Sequence, residues 1–218
     1  MKKFTMAALL TSVFLMGCDD DRSIKREGDG IDAMLRYNQN FVARKKYERF
    51  SRVGGMPSDR VGVITCMDTR LVKLLPYSLG IQNDNVKMIK VAGPTARDAL
   101  FDNTIRSAII GIYALGLEEI MVIGHCGCGV QGLTSDLAVS LMRDRGITQA
   151  QIDRVQNAGG LDRLFRGFTM NEDNALELAT MLRNHPLMPE GITVRSFVID
   201  PNTGLVSEVT EAGQRICE

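Results

Sequence analysis

The sequence predicts an α/β fold, with a mostly parallel sheet, flanking helices and a strand hairpin at the carboxyl end. Three short apolar segments rich in β-branched residues, at 61–65, 86–91 and 120–123, each have the length of a buried strand. Helical patterns lie between them, and this alternation implies parallel strands joined by crossovers. With 218 residues, of which 44% are hydrophobic, the chain can bury one domain.

The first seventeen residues are predicted to be a signal peptide outside the fold. A pair of lysines precedes an apolar run over residues 6–16, which as a helix is too short for the roughly 30 Å hydrocarbon core of a bilayer. The run resembles a bacterial lipobox, in which cleavage leaves a lipid-modified cysteine, here Cys18. Asp19 resembles the retention signal of inner-membrane lipoproteins. We expect an exported lipoprotein anchored to the inner membrane and facing the periplasm, with simple secretion or no processing as alternatives.

Residues 18–30 are predicted to be a tether, because they are polar and carry Gly28 and Gly30. The folded domain is then expected over residues 31–218. It should open with an amphipathic helix, since apolar residues recur at helical spacing at positions 31, 34, 35, 41 and 42.

Capping signals predict the helices that follow. Asn103 or Thr104 can begin a helix that ends at Gly116. Between residues 135 and 184 we expect three helices, with glycines near the ends of two of them. Two pairs there fit a capping box, Thr148 with Gln151 and Thr169 with Glu172.

The carboxyl-terminal part is predicted to form a hairpin that closes the sheet. Residues 194–199 and 205–209 read as strands, and the turn residues at 200–204 lie between them.

Composition argues against a nucleic-acid partner. Lys plus Arg and Asp plus Glu number 26 each, and no long block of like charge occurs. The chain has no Trp and only 6% aromatic residues, which leaves little material for stacking on bases. We therefore expect a small-molecule substrate that is neutral or weakly charged.

Metal-binding side chains follow two of the predicted strands. Cys66 comes directly after the first strand, and His125 and Cys128 come just after the third. The carboxyl ends of parallel strands meet at one edge of a sheet, where open α/β sheets place their ligand sites. Two thiolates and an imidazole suit zinc (Zn²⁺), and three protein ligands leave a fourth position for catalysis. Zinc in such a site lowers the pKa of water toward neutrality.

Asp68 and Arg70 follow the first of these ligands closely. A carboxylate there can accept a hydrogen bond from the reacting water, and the guanidinium can keep it ionised and aimed. The structural alternative is a plain ion pair at a strand end.

The motif Cys66-Met-Asp-Thr-Arg70, followed by His125-x-x-Cys128, resembles the double signature of the beta carbonic anhydrases. The resemblance extends over about residues 31–210 and is strongest to a small bacterial branch. It implies zinc held by Cys66, His125 and Cys128, with Asp68 and Arg70 as the catalytic dyad. It also implies a lyase that hydrates carbon dioxide reversibly to bicarbonate, and a homodimer or higher homo-oligomer. In some members the aspartate moves onto the metal, which makes Asp68 an alternative fourth ligand.

Two departures from the family pattern bear on activity. Gly127 stands where many members have Asp, and Pro94 replaces a small residue whose backbone lines the site in relatives. Relatives of this fold also hydrolyse carbonyl sulfide or carbon disulfide, so these substrates are an alternative. A site closed by Asp68 would instead make the chain a non-catalytic, membrane-tethered zinc protein.

The remaining cysteines and histidine are given no catalytic role. Cys126 and Cys128 can form a redox pair in an oxidising compartment, an alternative that bound zinc would suppress. Cys217 is expected to be a bystander thiol. His185 precedes a proline at a predicted helix end, where capping or surface exposure is expected.

Overall fold

The computed structural model describes residues 26–50 and 54–217, so the predicted signal peptide and Cys18 lie outside the described residues. The described residues form two compact units, one ending at Phe50 and one covering 54–217. The first unit contains helix α1 (Gly30–Ala43) and a 3-10 helix (Lys46–Arg49). Helix α1 begins one residue before the predicted start of the domain.

The second unit is built on a five-stranded sheet that confirms the predicted fold class. Its strands are β1 (Val61–Cys66), β2 (Val86–Val91), β3 (Glu119–His125), β4 (Thr193–Ile199) and β5 (Val206–Val209). The spatial order is β2-β1-β3-β4-β5. The first four strands pair in parallel, and β5 pairs antiparallel with β4 to form the predicted hairpin.

Six helices accompany the sheet in the second unit. They are α2 (Leu71–Ser78), α3 (Asn103–Leu115), α4 (Ser135–Asp144), α5 (Gln149–Gly159), α6 (Leu161–Phe165) and α7 (Asn171–Arg183). The prediction of three helices between 135 and 184 is wrong, because four occur there. Two successive glycines with positive φ, 152° at Gly159 and 89° at Gly160, end α5 and let the chain restart as the five-residue α6.

The start of α3 differs from the prediction. Its N-cap is Asp102, whose Oδ1 accepts the Thr104 backbone N–H at 2.7 Å. The Thr104 hydroxyl donates instead to the Thr95 carbonyl at 3.1 Å. Gly116 ends the helix in the left-handed conformation, with φ 69°, as predicted.

Of the two predicted capping boxes, one is confirmed and one is wrong. Thr148 and Gln151 form the reciprocal pair at the start of α5. At α7 the N-cap is Met170, which makes no side-chain cap. The Glu172 carboxylate bonds to backbone N–H groups near the carboxyl terminus and is therefore not engaged as a cap.

Two apolar clusters enclose the sheet and fix its carboxyl edge. One joins β1 and β3 to buried residues of α3 and α7, and the other joins the same strands to Leu71 and Leu75 of α2. Successive strand residues point to opposite faces of the sheet and so pack in different clusters. In β1, Ile64 belongs to the first cluster and Val63 to the second. Cys66 and Cys128 belong to the second cluster. No helix within residues 26–50 or 54–217 is both long and apolar enough to cross a membrane.

Candidate metal centre

The metal-binding residues predicted from the sequence converge at the carboxyl edge of the sheet. Cys66 is the last residue of β1, and His125 is the last residue of the neighbouring parallel strand β3. Gly127 turns the chain with a φ of 64° and brings Cys128 back toward them. The two sulfur atoms lie 3.9 Å apart, and the ligand atoms of all three residues lie within 4.8 Å of one another.

His125 is oriented as a metal ligand. Its side chain is fully buried, and Nδ1 lies 3.1 Å from the Cys126 carbonyl oxygen and 3.5 Å from a terminal nitrogen of Arg70. The carbonyl oxygen is the nearer partner and can only accept, so we assign the proton to Nδ1. The lone pair therefore lies on Nε2, which is buried and has no hydrogen-bond partner among the described residues. Buried nitrogen atoms are rarely left without a partner, and a metal ion would satisfy this one. The donor set and its geometry fit zinc.

The Cys66 and Cys128 thiols influence each other's protonation. The hydrogen bond from Cys128 lowers the pKa of Cys66 well below its usual range, against the opposing effect of burial. The pKa of Cys128 is raised, first because its proton is held in that bond and then by burial. The hydrogen bond between the two sulfur atoms therefore favours ionisation of one of them, and a thiolate is the form that binds metals.

Asp68 and Arg70 form the predicted pair beside this cluster. Arg70 Nε donates to Asp68 Oδ1 at 3.0 Å, and one terminal nitrogen donates to Oδ2 at 2.8 Å. This hydrogen bonding is the main reason that the pKa of Asp68 falls to about 2. Asp68 Oδ2 lies 3.8 Å from His125 Nε2. In this conformation the carboxylate is turned toward Arg70, and its service as a fourth ligand stays a prediction.

The two departures from the family pattern have defined structural places. The Gly127 carbonyl accepts a hydrogen bond from Arg70 at 2.8 Å, so this residue positions the guanidinium. Pro94 is buried, and its carbonyl accepts from the side-chain amide of Asn174 at 2.9 Å.

Sequence reasoning missed one feature of the site, a disulfide between Cys126 and Cys217. The prediction of Cys217 as a bystander thiol is wrong, and so is the pairing of Cys126 with Cys128. Among the cysteines that the structure describes, Cys66 and Cys128 are the free ones. Counting could have found this bond: with Cys18 assigned to a lipid and two cysteines to the metal, two of the five remain to pair in an oxidising compartment.

His185 has a structural role. It is buried rather than exposed, its Nδ1 accepts the Leu187 backbone N–H at 3.1 Å, and its Nε2 lies 3.3 Å from the Leu100 carbonyl oxygen. It caps the turn after α7, so of the two expected roles capping is confirmed and surface exposure is wrong.

The fold and the site define an α/β protein with a Cys₂His group that could bind a metal at the carboxyl edge of a mostly parallel sheet. A family model described as carbonic anhydrase matches residues 61–205. The chain belongs to this family, and its relatives and structural neighbours place it in the beta class, whose enzymes are lyases.

Individual relatives match most of the chain. YvdA of Bacillus subtilis, which bears a provisional carbonic anhydrase name, is 34% identical over 180 residues, covering 82% of this chain and 90% of that protein. A carbon disulfide hydrolase of Saccharolobus solfataricus is 30% identical, covering 77% of this chain and 86% of that protein. The crystal structure of beta-carbonic anhydrase isoform I from Trichomonas vaginalis has a TM-score of 0.76 and 26% identity, covering 84% of this chain and 99% of the other.

Proposed function

We propose that this protein binds zinc through Cys66, His125 and Cys128 and hydrates carbon dioxide reversibly to bicarbonate. The observation that carries the proposal is the buried, unpartnered Nε2 of His125 among two thiols, with the ionised carboxylate of Asp68 3.8 Å away. Family membership supports the same reaction.

Zinc bound there would supply the Lewis acidity that makes water a nucleophile near neutral pH. The chain's own residues orient that water. Asp68, with a pKa of about 2, is a carboxylate at every pH of interest and accepts a hydrogen bond from the water, which directs its lone pair toward the substrate. Arg70 fixes the carboxylate through two side-chain hydrogen bonds and one from its backbone N–H, and its guanidinium is itself held by the Gly127 carbonyl. The released proton leaves to solvent or buffer.

The test is stopped-flow hydration of carbon dioxide by purified protein of measured zinc content. Zinc-loaded protein should be active, protein stripped by a chelator should be inactive, and reloading should restore the rate. Cys128→Ser should lose zinc, because a hydroxyl replaces a thiolate ligand. Zinc-loaded protein that is inactive from neutral to alkaline pH would contradict the enzyme proposal and favour a non-catalytic zinc protein closed by Asp68.

Hydrolysis of carbon disulfide or carbonyl sulfide at the same site is the second candidate. The 30% identity to a carbon disulfide hydrolase favours it specifically. Both sulfur compounds release hydrogen sulfide on hydrolysis, so sulfide production by the zinc-loaded preparation measures this activity directly. The ratio of kcat/KM values for carbon dioxide and the sulfur compounds decides which substrate the site prefers.

The proposal includes a lipid anchor at Cys18 on the periplasmic face of the bacterial inner membrane. Support comes from the lipobox-like run and from Asp19. Fractionation of cells that express the full chain tests it: Cys18→Ser should leave the membrane fraction, and a variant that is processed and retained like the wild type would contradict the anchor.

The proposal also includes a homodimer or larger assembly. Helix α1 buries only Ala33 within the single chain and leaves Ile31, Met34 and Leu35 more than half exposed. Apolar faces of this kind mark contacts with another protein, here a second copy. Light scattering should give at least twice the monomer mass, and Leu35→Asp should reduce it.

A further inference from the structure

A disulfide ties the metal-binding loop to the end of the chain. Cys126 lies between the two proposed ligands His125 and Cys128, and its partner Cys217 is 91 residues further along the chain. The Cα atoms of the bonded residues are 5.2 Å apart. Neither Cys126 nor Cys217 is a proposed metal ligand or a member of the proposed catalytic pair.

The backbone of this loop orients both halves of the proposed site. The Cys126 carbonyl accepts from His125 Nδ1 at 3.1 Å and so sets the tautomer and the angle of the imidazole. The next carbonyl, that of Gly127, accepts from Arg70 at 2.8 Å. The Cys126 backbone N–H donates to the Ile199 carbonyl at 3.1 Å, at the end of β4. The position of Cys126 thus determines how the ligand and the guanidinium are aimed.

The carboxyl-terminal segment that holds Cys126 is itself firmly fixed. Glu172, of which 2% is exposed, accepts the backbone N–H groups of Ile216 and Cys217 at 2.7 Å each. The adjacent Asp173 accepts the Gly213 N–H at 2.8 Å. Both acidic residues belong to α7, which packs against β3 and β4. The disulfide therefore connects the loop to a rigid part of the second unit.

We propose that the Cys126–Cys217 disulfide is a positioning element of the metal centre, which holds the Cys126 and Gly127 carbonyls where His125 and Arg70 need them. The proposal rests on the proposed zinc site. It also makes the centre sensitive to reduction, because opening the bond frees the loop from α7 while both metal-binding thiols stay in place.

The bond also separates the cysteines by role. Its formation removes two electrons and two protons from the Cys126 and Cys217 thiols, and a second disulfide accepts them as it is reduced to two thiols. The Cys126 sulfur can then neither bind the metal nor form a disulfide with Cys128, from which a single glycine separates it in sequence. An oxidising compartment would supply the disulfide oxidant.

Zinc retention provides the test, since it does not depend on catalysis. Wild type, Cys217→Ser, Cys126→Ser and the double variant are loaded with zinc, and transfer of the metal to a coloured chelator is followed. Each variant should release zinc about 10–100-fold faster than the wild type, the usual range for loss of a group that orients a ligand. The double variant should match Cys126→Ser, because both lose the bond and neither keeps a Cys126 thiol that could compete for the metal.

A trialkylphosphine provides the matched chemical test. With one water molecule it cleaves the disulfide to two thiols and leaves as the phosphine oxide, so the wild type should acquire the release rate of Cys217→Ser. The variant itself should not respond. The visible spectrum of the cobalt-substituted protein, which reports the ligand field, should shift in the same proteins while far-ultraviolet circular dichroism stays unchanged.

The proposal would be overturned if Cys217→Ser released zinc at the wild-type rate and had the wild-type cobalt spectrum. It would also be overturned if phosphine accelerated zinc release equally in Cys217→Ser and in the wild type. Loss of circular dichroism in the variants but not in the phosphine-treated wild type would show that the serines act through folding, which also contradicts it. A protein that holds no zinc in any form would refute the proposed function instead, whereas one that holds zinc without hydrating carbon dioxide still permits every measurement above.

Discussion

Arg70 is the residue on which the geometry of the proposed catalytic pair depends. Replacing it with alanine removes both side-chain hydrogen bonds to Asp68 and the one to the Gly127 carbonyl. We expect Arg70→Ala to lower kcat/KM for carbon dioxide by about 10–100-fold, because groups that orient metal-site residues typically contribute that much. Arg70→Lys should recover little, since an ammonium cannot bind a carboxylate bidentately. Stopped-flow rates at equal zinc content measure both effects, and unchanged rates in Arg70→Ala would contradict the assigned role.

The pH dependence of the pair follows from the direction of the Asp68 pKa shift. The folded pKa of about 2 lies below the ordinary value, chiefly because of Arg70. The ion pair's contribution to stability is therefore complete above the ordinary carboxyl pKa of about 3.9 and is lost as the pH falls through about 2. Between pH 5 and 9 Asp68 stays ionised, so a change in wild-type rate in that window belongs to another group. In Arg70→Ala the pKa of Asp68 should return toward its ordinary value, so the rate of this variant should titrate near about pH 4, where the wild-type rate does not.

The sequence predicts that Cys66, His125 and Cys128 come together, as they do in the structure, because their positions depend on strand ends. Cys66 and His125 close adjacent parallel strands, so the alternation of strands and helices already brings them to one edge. The partner of Cys126 is different in kind. Cys217 is held there by long-range hydrogen bonds such as that of its backbone N–H to Glu172, and no local pattern encodes a contact over 91 residues.

At the scale of the elements, the start of α3 offers a direct test of a cap. Asp102 Oδ1 accepts the Thr104 N–H at 2.7 Å, and Oδ2 accepts the Arg97 N–H at 2.9 Å. Asp102→Ala should therefore lower the free energy of unfolding by about 0.5–2 kcal/mol, the usual cost of losing an N-cap. Asn103→Ala is the matched control and should change it by less than about 0.5 kcal/mol, because its side chain makes no cap. Urea unfolding of both variants measures the difference, and a larger loss in Asn103→Ala would contradict the assignment.

The same element shows why helix starts are harder to predict than strands. Residues 102, 103 and 104 are all good cap formers, so propensity cannot choose among them. The choice is made by the Arg97 N–H, which uses the second oxygen of Asp102. At α7 a residue with the sequence spacing of a capping box does not cap the helix. Glu172 instead accepts a hydrogen bond from the backbone N–H of the distant Cys217.

At the scale of the whole molecule, the parallel sheet determines which strand ends a bound metal would hold together. The proposed ligands come from the ends of β1 and β3, two neighbouring strands at the centre of the order β2-β1-β3-β4-β5. The sequence predicts the class of sheet and its terminal hairpin, but the order of strands depends on which crossovers pack, which single segments do not encode. A metal at this edge would join the strands where the sheet ends.

Removal of zinc should therefore lower the melting temperature of the protein. Without metal, His125 Nε2 stays buried with no partner among the described residues, and the buried sulfur atoms of Cys66 and Cys128 lie only 3.9 Å apart. A ligand at 1,000 times its Kd stabilises the folded state by about 4 kcal/mol, which for a chain of this size corresponds to a Tm shift of roughly 8–16 °C. Calorimetry of stripped and reloaded protein measures the shift. Cys128→Ser should melt at one temperature with or without zinc, and a variant that still gains the full shift would show that the stabilising ion binds elsewhere.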